Sequence, residues 1–158
     1  MNNFIPPYKI TSKILKLSTQ ISEEFTKLQF TGVEKVNPML RKKNRIKTLA
    51  GTLEIEGNFL GEEKITAILE GKRVLGTVKE LAEVQGAIKA YEKLDEFRYS
   101  ELDDLLLAHK ILMDEILTTA GSFRSVNVQV GEHIAPKASM VNELMINLFS
   151  WLKNSDEH

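Results

Sequence analysis

The residues of this chain best placed to do chemistry lie in one stretch, Thr52-Leu53-Glu54-Ile55-Glu56-Gly57-Asn58. It closes a segment that reads as a helix opening at Asn37-Pro38, in which Met39, Ile46, Leu49 and Leu53 recur at helical spacing and share one face. Three residues further on, the stripe reaches Glu56, a carboxylate where the pattern asks for a hydrophobe. A buried ionised Glu must be paired or neutralised, and a negative charge in the last turn of a helix opposes the macrodipole. Glu56 is therefore expected to have a task; the alternative is a half-exposed side chain at a frayed helix end. Gly57 suits the left-handed residue that stops a helix, and Thr52 lies one turn before Glu56 on the same side.

Other groups are less promising. The three histidines, His109, His133 and His158, have no metal-ligand spacing, and without cysteine there are neither disulfides nor thiolate metal sites. His109 sits among Leu105, Leu106 and Leu112, where a hydrogen-bonded packing role is expected before a ligand role. Arg41-Lys42-Lys43-Asn44-Arg45 is the one basic cluster; short and without aromatic interleaving, it reads as a solvated helix face rather than a phosphate or acidic-partner contact. Gly71-Lys72-Arg73-Val74-Leu75-Gly76 has too few glycines, in the wrong context, for a phosphate-binding loop.

The elements that position these residues follow from period and punctuation. The 158 residues suit one domain with a real core. With 21 Lys and Arg against 22 Asp and Glu the net charge is −1, which disfavours nucleic-acid binding through bulk charge. After a Pro6-Pro7 leader, Ile10, Ile14, Leu17, Ile21, Phe25 and Leu28 predict a helix over 11–30 started by Thr11 or Ser12, ended by Thr31-Gly32. Asn37-Pro38 reads as N-cap and first residue of the next. A short helix is predicted over 62–69, a long one capped by Thr77 and running through Leu94, and another from a capping-box-like Ser100-Glu101-Leu102-Asp103 to about Leu117, the last two pairing as a hairpin.

From Gly121 the period changes. Ser125-Val126-Asn127-Val128-Gln129-Val130 alternates polar and apolar, and with Gly131-Glu132 as a turn and His133-Ile134-Ala135-Pro136 returning it predicts a β-hairpin. A two-stranded sheet hardly stabilises itself, but its edge is a template for an extended segment of another chain; the alternative is a plain helix-to-helix connector. Val141, Leu144, Leu148, Trp151 and Leu152 form a last amphipathic helix. No apolar run approaches a membrane span, and residues 1–7 lack a signal peptide's features, so a cytoplasmic protein is expected.

Several separated segments together resemble the N-terminal part of a Fic-domain protein, the family that transfers AMP from ATP to a hydroxyl side chain of a target protein. Thr52-x-x-x-Glu56-Gly57 matches the family's inhibitory motif. Around it stand Asn44-Arg45-Ile46, Leu69-x-Gly71-Lys72-Arg73-Val74-Leu75-Gly76, Ala120-Gly121-x-Phe123-Arg124, Val130-Gly131-Glu132-His133-Ile134-Ala135-Pro136, and Leu144-Met145 to Trp151-Leu152, in family order and spacing. Departures are Gly51 before Thr52 and Lys137 after Pro136.

The resemblance implies an all-α, Fic-like helical bundle, incomplete, with one small β-hairpin flap. It implies a leader and helix over 1–36 and the N-terminal part of a Fic domain over 37–158, as one structural unit, with the inhibitory helix at 37–57 and the flap at 124–136. Thr52, Glu56 and Gly57 would be regulatory. Glu56 would pair with the second Arg of the signature His-x-Phe-x-Asp/Glu-Gly-Asn-Gly-Arg-x-x-Arg and block productive placement of the ATP γ-phosphate. Val130, Gly131, Glu132 and His133 would lie beside the nucleotide, and the flap edge would align the target's segment by strand addition. The implied cofactors are ATP and Mg²⁺.

That signature does not occur in this sequence, and neither His109 nor His133 can stand in for its general base. The chain is thus expected to be inactive alone. A fragment of a longer protein and a natural product that stops here are both open, the fragment favoured because the last helix otherwise lacks the core it packs into, and the uncovered apolar surface predicts self-association. Its partners would be ATP and a target protein, without a membrane. Two rivals remain: a non-catalytic module that silences a separate Fic domain in trans through Glu56, which would have no use for a flap, and a helical DNA-binding protein using Arg41 to Arg45, which the near-neutral charge disfavours.

Overall fold

The computed structural model describes residues 7–30 and 38–154. Among them are six α-helices, α1 (Ser12–Phe30), α2 (Pro38–Ile55), α3 (Gly61–Leu69), α4 (Val78–Glu92), α5 (Leu102–Met113) and α6 (Ala138–Asn154), and one hairpin of β1 (Gln129–Val130) and β2 (His133–Ile134). Described residues up to Arg45 belong to one compact unit and those from Ile46 onward to a second.

In the first unit, the Thr11 hydroxyl accepts the Ile14 N–H at 3.2 Å, so Thr11 rather than Ser12 caps α1. None of α1 is buried, its apolar stripe included. The expected Asn37 cap of α2 and the Thr31-Gly32 stop of α1 lie outside the described residues. Arg41, Lys42, Lys43 and Asn44 are exposed, as a solvated face requires. Met39, expected on the buried stripe, is 79% exposed; the stripe starts at Ile46.

The second unit has its core where α2, α3 and α4 meet. Ile46, Leu49 and Leu53, spaced three and four along α2, pack with Leu60, Ile65 of α3, and Val84 and Ala87 of α4; Leu49, Ile65 and Val84 are almost wholly buried. The start of α4 is fixed by a complete capping box: the Thr77 hydroxyl accepts the Glu80 N–H while the Glu80 carboxylate accepts the Thr77 N–H at 2.8 Å. Bonds from the Thr77 N–H and hydroxyl hold the Glu80 carboxyl below the usual carboxylate range.

Three boundaries of α4 and α5 differ from the expected ones. α4 stops at Glu92, not Leu94, because Glu96 and Phe97 bond back only three residues and tighten Leu94–Glu96 into a 3₁₀ turn. The capping box expected at Ser100 does not form. Glu101 occupies the cap position of α5 without capping it and instead takes the Lys153 ammonium at 3.0 Å, while Asp104 accepts both the Arg98 N–H and Nε at 2.9 Å. Those bonds hold the Asp104 carboxyl below its usual range. α5 ends at Met113 rather than Leu117, since residues 114–122 close in successive turns.

α4 packs chiefly on α5, the pairing read from the sequence. The approach is close at Gly86, where a Cβ would lie 2.3 Å from the Leu112 carbonyl oxygen. No residue of α5 or α6 is fully buried; Val141, Leu144, Leu148, Trp151 and Leu152 of α6 are half-buried.

Candidate regulatory and flap site

Glu56 lies one residue past the end of α2 and is exposed. Glu56 is therefore not the buried carboxylate that the stripe asks for but the exposed helix-end one of the alternative reading, and the reason is geometric. The Glu56 N–H bonds to the Leu53 carbonyl at 3.1 Å, three residues back, so the 3.6-residue period that carries Leu53 inward does not extend to it.

The backbone there is a Schellman stop. The Asn58 N–H bonds to the Leu53 carbonyl at 2.9 Å, the Gly57 N–H to the Glu54 carbonyl at 3.0 Å, and Gly57 adopts φ +84°. Gly57 thus performs the role its type implies, and Glu56 is the C-cap residue. Its charge sits against the negative end of the helix, an arrangement that helix stability alone does not favour. Thr52 does not touch Glu56 by a hydrogen bond: its hydroxyl donates to the Thr48 carbonyl at 2.8 Å within α2.

Asn58 closes the stretch singled out in the sequence, but its role was not read there. It is 3% exposed, and its side chain donates to the Glu80 carbonyl at 3.0 Å and to Glu83 Oε2 at 2.9 Å while accepting the Leu60 N–H at 3.2 Å. The position after a Schellman glycine normally carries a side chain that packs back on the helix, so a polar residue there was the available signal.

The hairpin is shorter than the alternation over 125–130 predicts. Gln129 pairs with Ile134 and Val130 with His133, antiparallel, with Gly131-Glu132 as the turn. Gly131 has φ +59° and Glu132 does not share the positive φ, the pattern of a II′ rather than a I′ turn. Before Gln129 one further cross-arm bond runs from the Ala135 N–H to the Val128 carbonyl at 3.3 Å, and the side chains around it are engaged elsewhere. The Arg124 guanidinium donates to the carbonyls of Val126 (2.8 Å) and Pro136, clasping both arms of the hairpin, and Asn127 Oδ1 accepts the Ala138 N–H at 2.8 Å, capping α6. Val130, Gly131, Glu132 and His133 all lie exposed at the tip.

His109 behaves as the packing residue expected. Its Nδ1 accepts the Gly121 N–H at 2.8 Å and holds the segment after α5 against that helix. Gly121, at φ +78°, has no room for a Cβ, which would meet Lys110 Cβ at 2.7 Å. Among the described residues no three His, Asp or Glu side chains cluster as a metal site would require, and no helix is long and apolar enough to cross a membrane.

Six described α-helices with one hairpin between α5 and α6, its arms held by Arg124, define a mostly helical class of protein. The chain is similar, with TM-score 0.89 and 39% identity, to the crystal structure of a Fic family protein from Desulfovibrio desulfuricans G20, over 98% of this chain. The chain has the Fic-like helical fold. It spans about half the length of that protein, 49%. No protein-family model and no curated protein matches the sequence.

Proposed function

We propose that this chain is the N-terminal regulatory and flap portion of a Fic-family protein that transfers AMP from ATP to a hydroxyl side chain of target proteins, autoinhibited by Glu56. The observation that carries the proposal is the 39% identity to a Fic family protein over nearly the whole chain. The geometry supports it, because the Schellman stop leaves the Glu56 carboxylate exposed at the end of α2, where an arginine from elsewhere can reach it.

In the proposed reaction a bond forms between the target oxygen and the ATP α-phosphorus, the bond from that phosphorus to the pyrophosphate oxygen breaks, and the signature His of the complete protein takes the hydroxyl proton. This chain contributes the surroundings. Val130, Gly131, Glu132 and His133 at the hairpin tip flank the nucleotide, and the hairpin edge pairs with the target's extended segment. Glu56 holds the enzyme down by taking the arginine that the γ-phosphate needs. In the complete protein the acidic residue of the signature would hold Mg²⁺, which would neutralise phosphate charge. The clasping of both hairpin arms by Arg124 favours this portion-of-an-enzyme role over a module that only inhibits in trans, which needs no flap.

The full-length protein from its source, incubated with Mg²⁺ and ATP labelled at the α-phosphate, is expected to gain label on hydroxyl side chains. Label arriving from the γ-phosphate instead, or none from either position in the Glu56→Gly variant, would contradict the proposal.

A further inference from the structure

We infer that Asn58 is a positioning residue for Glu56, a latch that ties the stop of α2 to α4 and so sets how well the inhibitory carboxylate is presented. This rests on the proposed role of Glu56 as the brake. Glu56 itself is exposed, and among the described residues its carboxylate makes no hydrogen bond or ion pair that would fix it. What fixes its backbone is the segment immediately after it.

Gly57 is the one intervening residue, and its φ of +84° is a conformation that glycine adopts without strain and that can be left as readily. Asn58 then anchors the segment. It is 3% exposed, and it uses both amide hydrogens and its oxygen: two bonds to α4, through the Glu80 carbonyl and the Glu83 carboxylate, and one to the Leu60 N–H that closes an Asx turn into α3. The Glu83 carboxylate is itself oriented, with Oε1 3.6 Å from the Lys79 ammonium while Oε2 takes the amide. A charge-assisted bond in a part-buried place is stronger and shorter than a neutral one, so the Asn58–Glu83 contact is the strongest part of the latch.

The consequence is a regulatory one. Removing the latch leaves Glu56 chemically intact but lets the α2 stop unwind away from α4, and a carboxylate spread over many positions pairs poorly with an arginine that demands one. Loss of Asn58 is then expected to act as partial loss of Glu56.

The test is α-phosphate label transfer by the full-length protein, with thermal unfolding recorded beside it. Asn58→Ala is expected to raise labelling about fivefold or more over wild type, a coupling of ordinary allosteric size. In the Glu56→Gly background the same substitution is expected to add nothing beyond about twofold, because groups acting through one another are not additive. Glu83→Ala, a variant that leaves the loop sequence untouched and serves if Asn58→Ala does not fold, is expected to raise labelling, and Glu83→Gln, which keeps an acceptor for the amide, to keep it low. A merely structural Asn58 would lower the unfolding midpoint and lower labelling together. The inference is overturned if Glu56→Gly raises labelling while Asn58→Ala and Glu83→Ala leave it at or below the wild-type level, or if Asn58→Ala raises it as much in the Glu56→Gly background as in wild type. If Glu56→Gly itself gives no rise, the brake fails first and the latch with it.

Discussion

Glu56→Gly in the full-length protein is expected to raise AMP labelling by about 10–100-fold, the range that a coupling of a few kcal/mol supplies. Magnitudes separate this from a stability effect. Glu56 is exposed at the C-terminal end of α2, where an acidic side chain costs about 0.3–1 kcal/mol through the macrodipole. The glycine introduced beside Gly57 adds unfolded-state entropy of about the same size and opposite effect, so the folding free energy is expected to stay within about 1 kcal/mol of wild type. An enzyme that became active because it was loosened would show a falling unfolding midpoint. The expected pair of results is a large gain in labelling with a midpoint within about 2–4 °C of wild type, and an unchanged labelling rate would remove Glu56 from its inhibitory role.

The second large effect concerns the fold that positions the site. In Gly86→Ala the new Cβ would meet the Leu112 carbonyl oxygen at 2.3 Å and its carbon at 3.0 Å, both backbone atoms that a side-chain rotation cannot clear. Two effects compete. Alanine in the middle of α4 gains about 1 kcal/mol of helix propensity, while forcing packed elements apart costs about 1–3 kcal/mol and occasionally more. A contact so short with an unyielding partner lies at the upper end, so a net loss of about 2 kcal/mol is expected and a fall in the unfolding midpoint of about 4–8 °C. Gly51 supplies the comparison, because nothing lies within 4 Å of the Cβ position there. Gly51→Ala is expected to stabilise by about 0.5–1 kcal/mol. Equal responses of the two glycines in thermal unfolding would sink the close-packing account of α4 against α5.

What was legible in the sequence was what rests on local chemistry. Thr77 as the cap of α4, Gly57 as a helix stop, Gly131-Glu132 as a tight turn, and the Ile46, Leu49 and Leu53 stripe each follow from a residue type at a required position, and each is where the pattern puts it, while the reciprocal bond from Glu80 was not read. Side chains that bond across sequence were not legible. Asp104 reaches back to Arg98, the capping box expected at Ser100 does not form, and Arg124 and Asn127 occupy the approach to the hairpin, with two residues per strand where alternation suggested six in the first. Periodicity misplaced Glu56 because it assumes the helix continues, and the helix had already stopped. Asn58 escaped because its partners lie 22 and 25 residues away.

The half-buried apolar faces of α5 and α6 and the 49% span of the D. desulfuricans protein bear on the same question: which polypeptide this portion works in. The proposal places it ahead of a catalytic half carrying His-x-Phe-x-Asp/Glu-Gly-Asn-Gly-Arg. The most direct test is the intact mass of the protein purified from its source, with a peptide map of its C-terminal portion. The account predicts a mass well above 17.9 kDa and peptides that run past His158 into that signature. A mass of 17.9 kDa with His158 as the last residue would contradict it and leave Glu56 to act, if at all, on a separate chain.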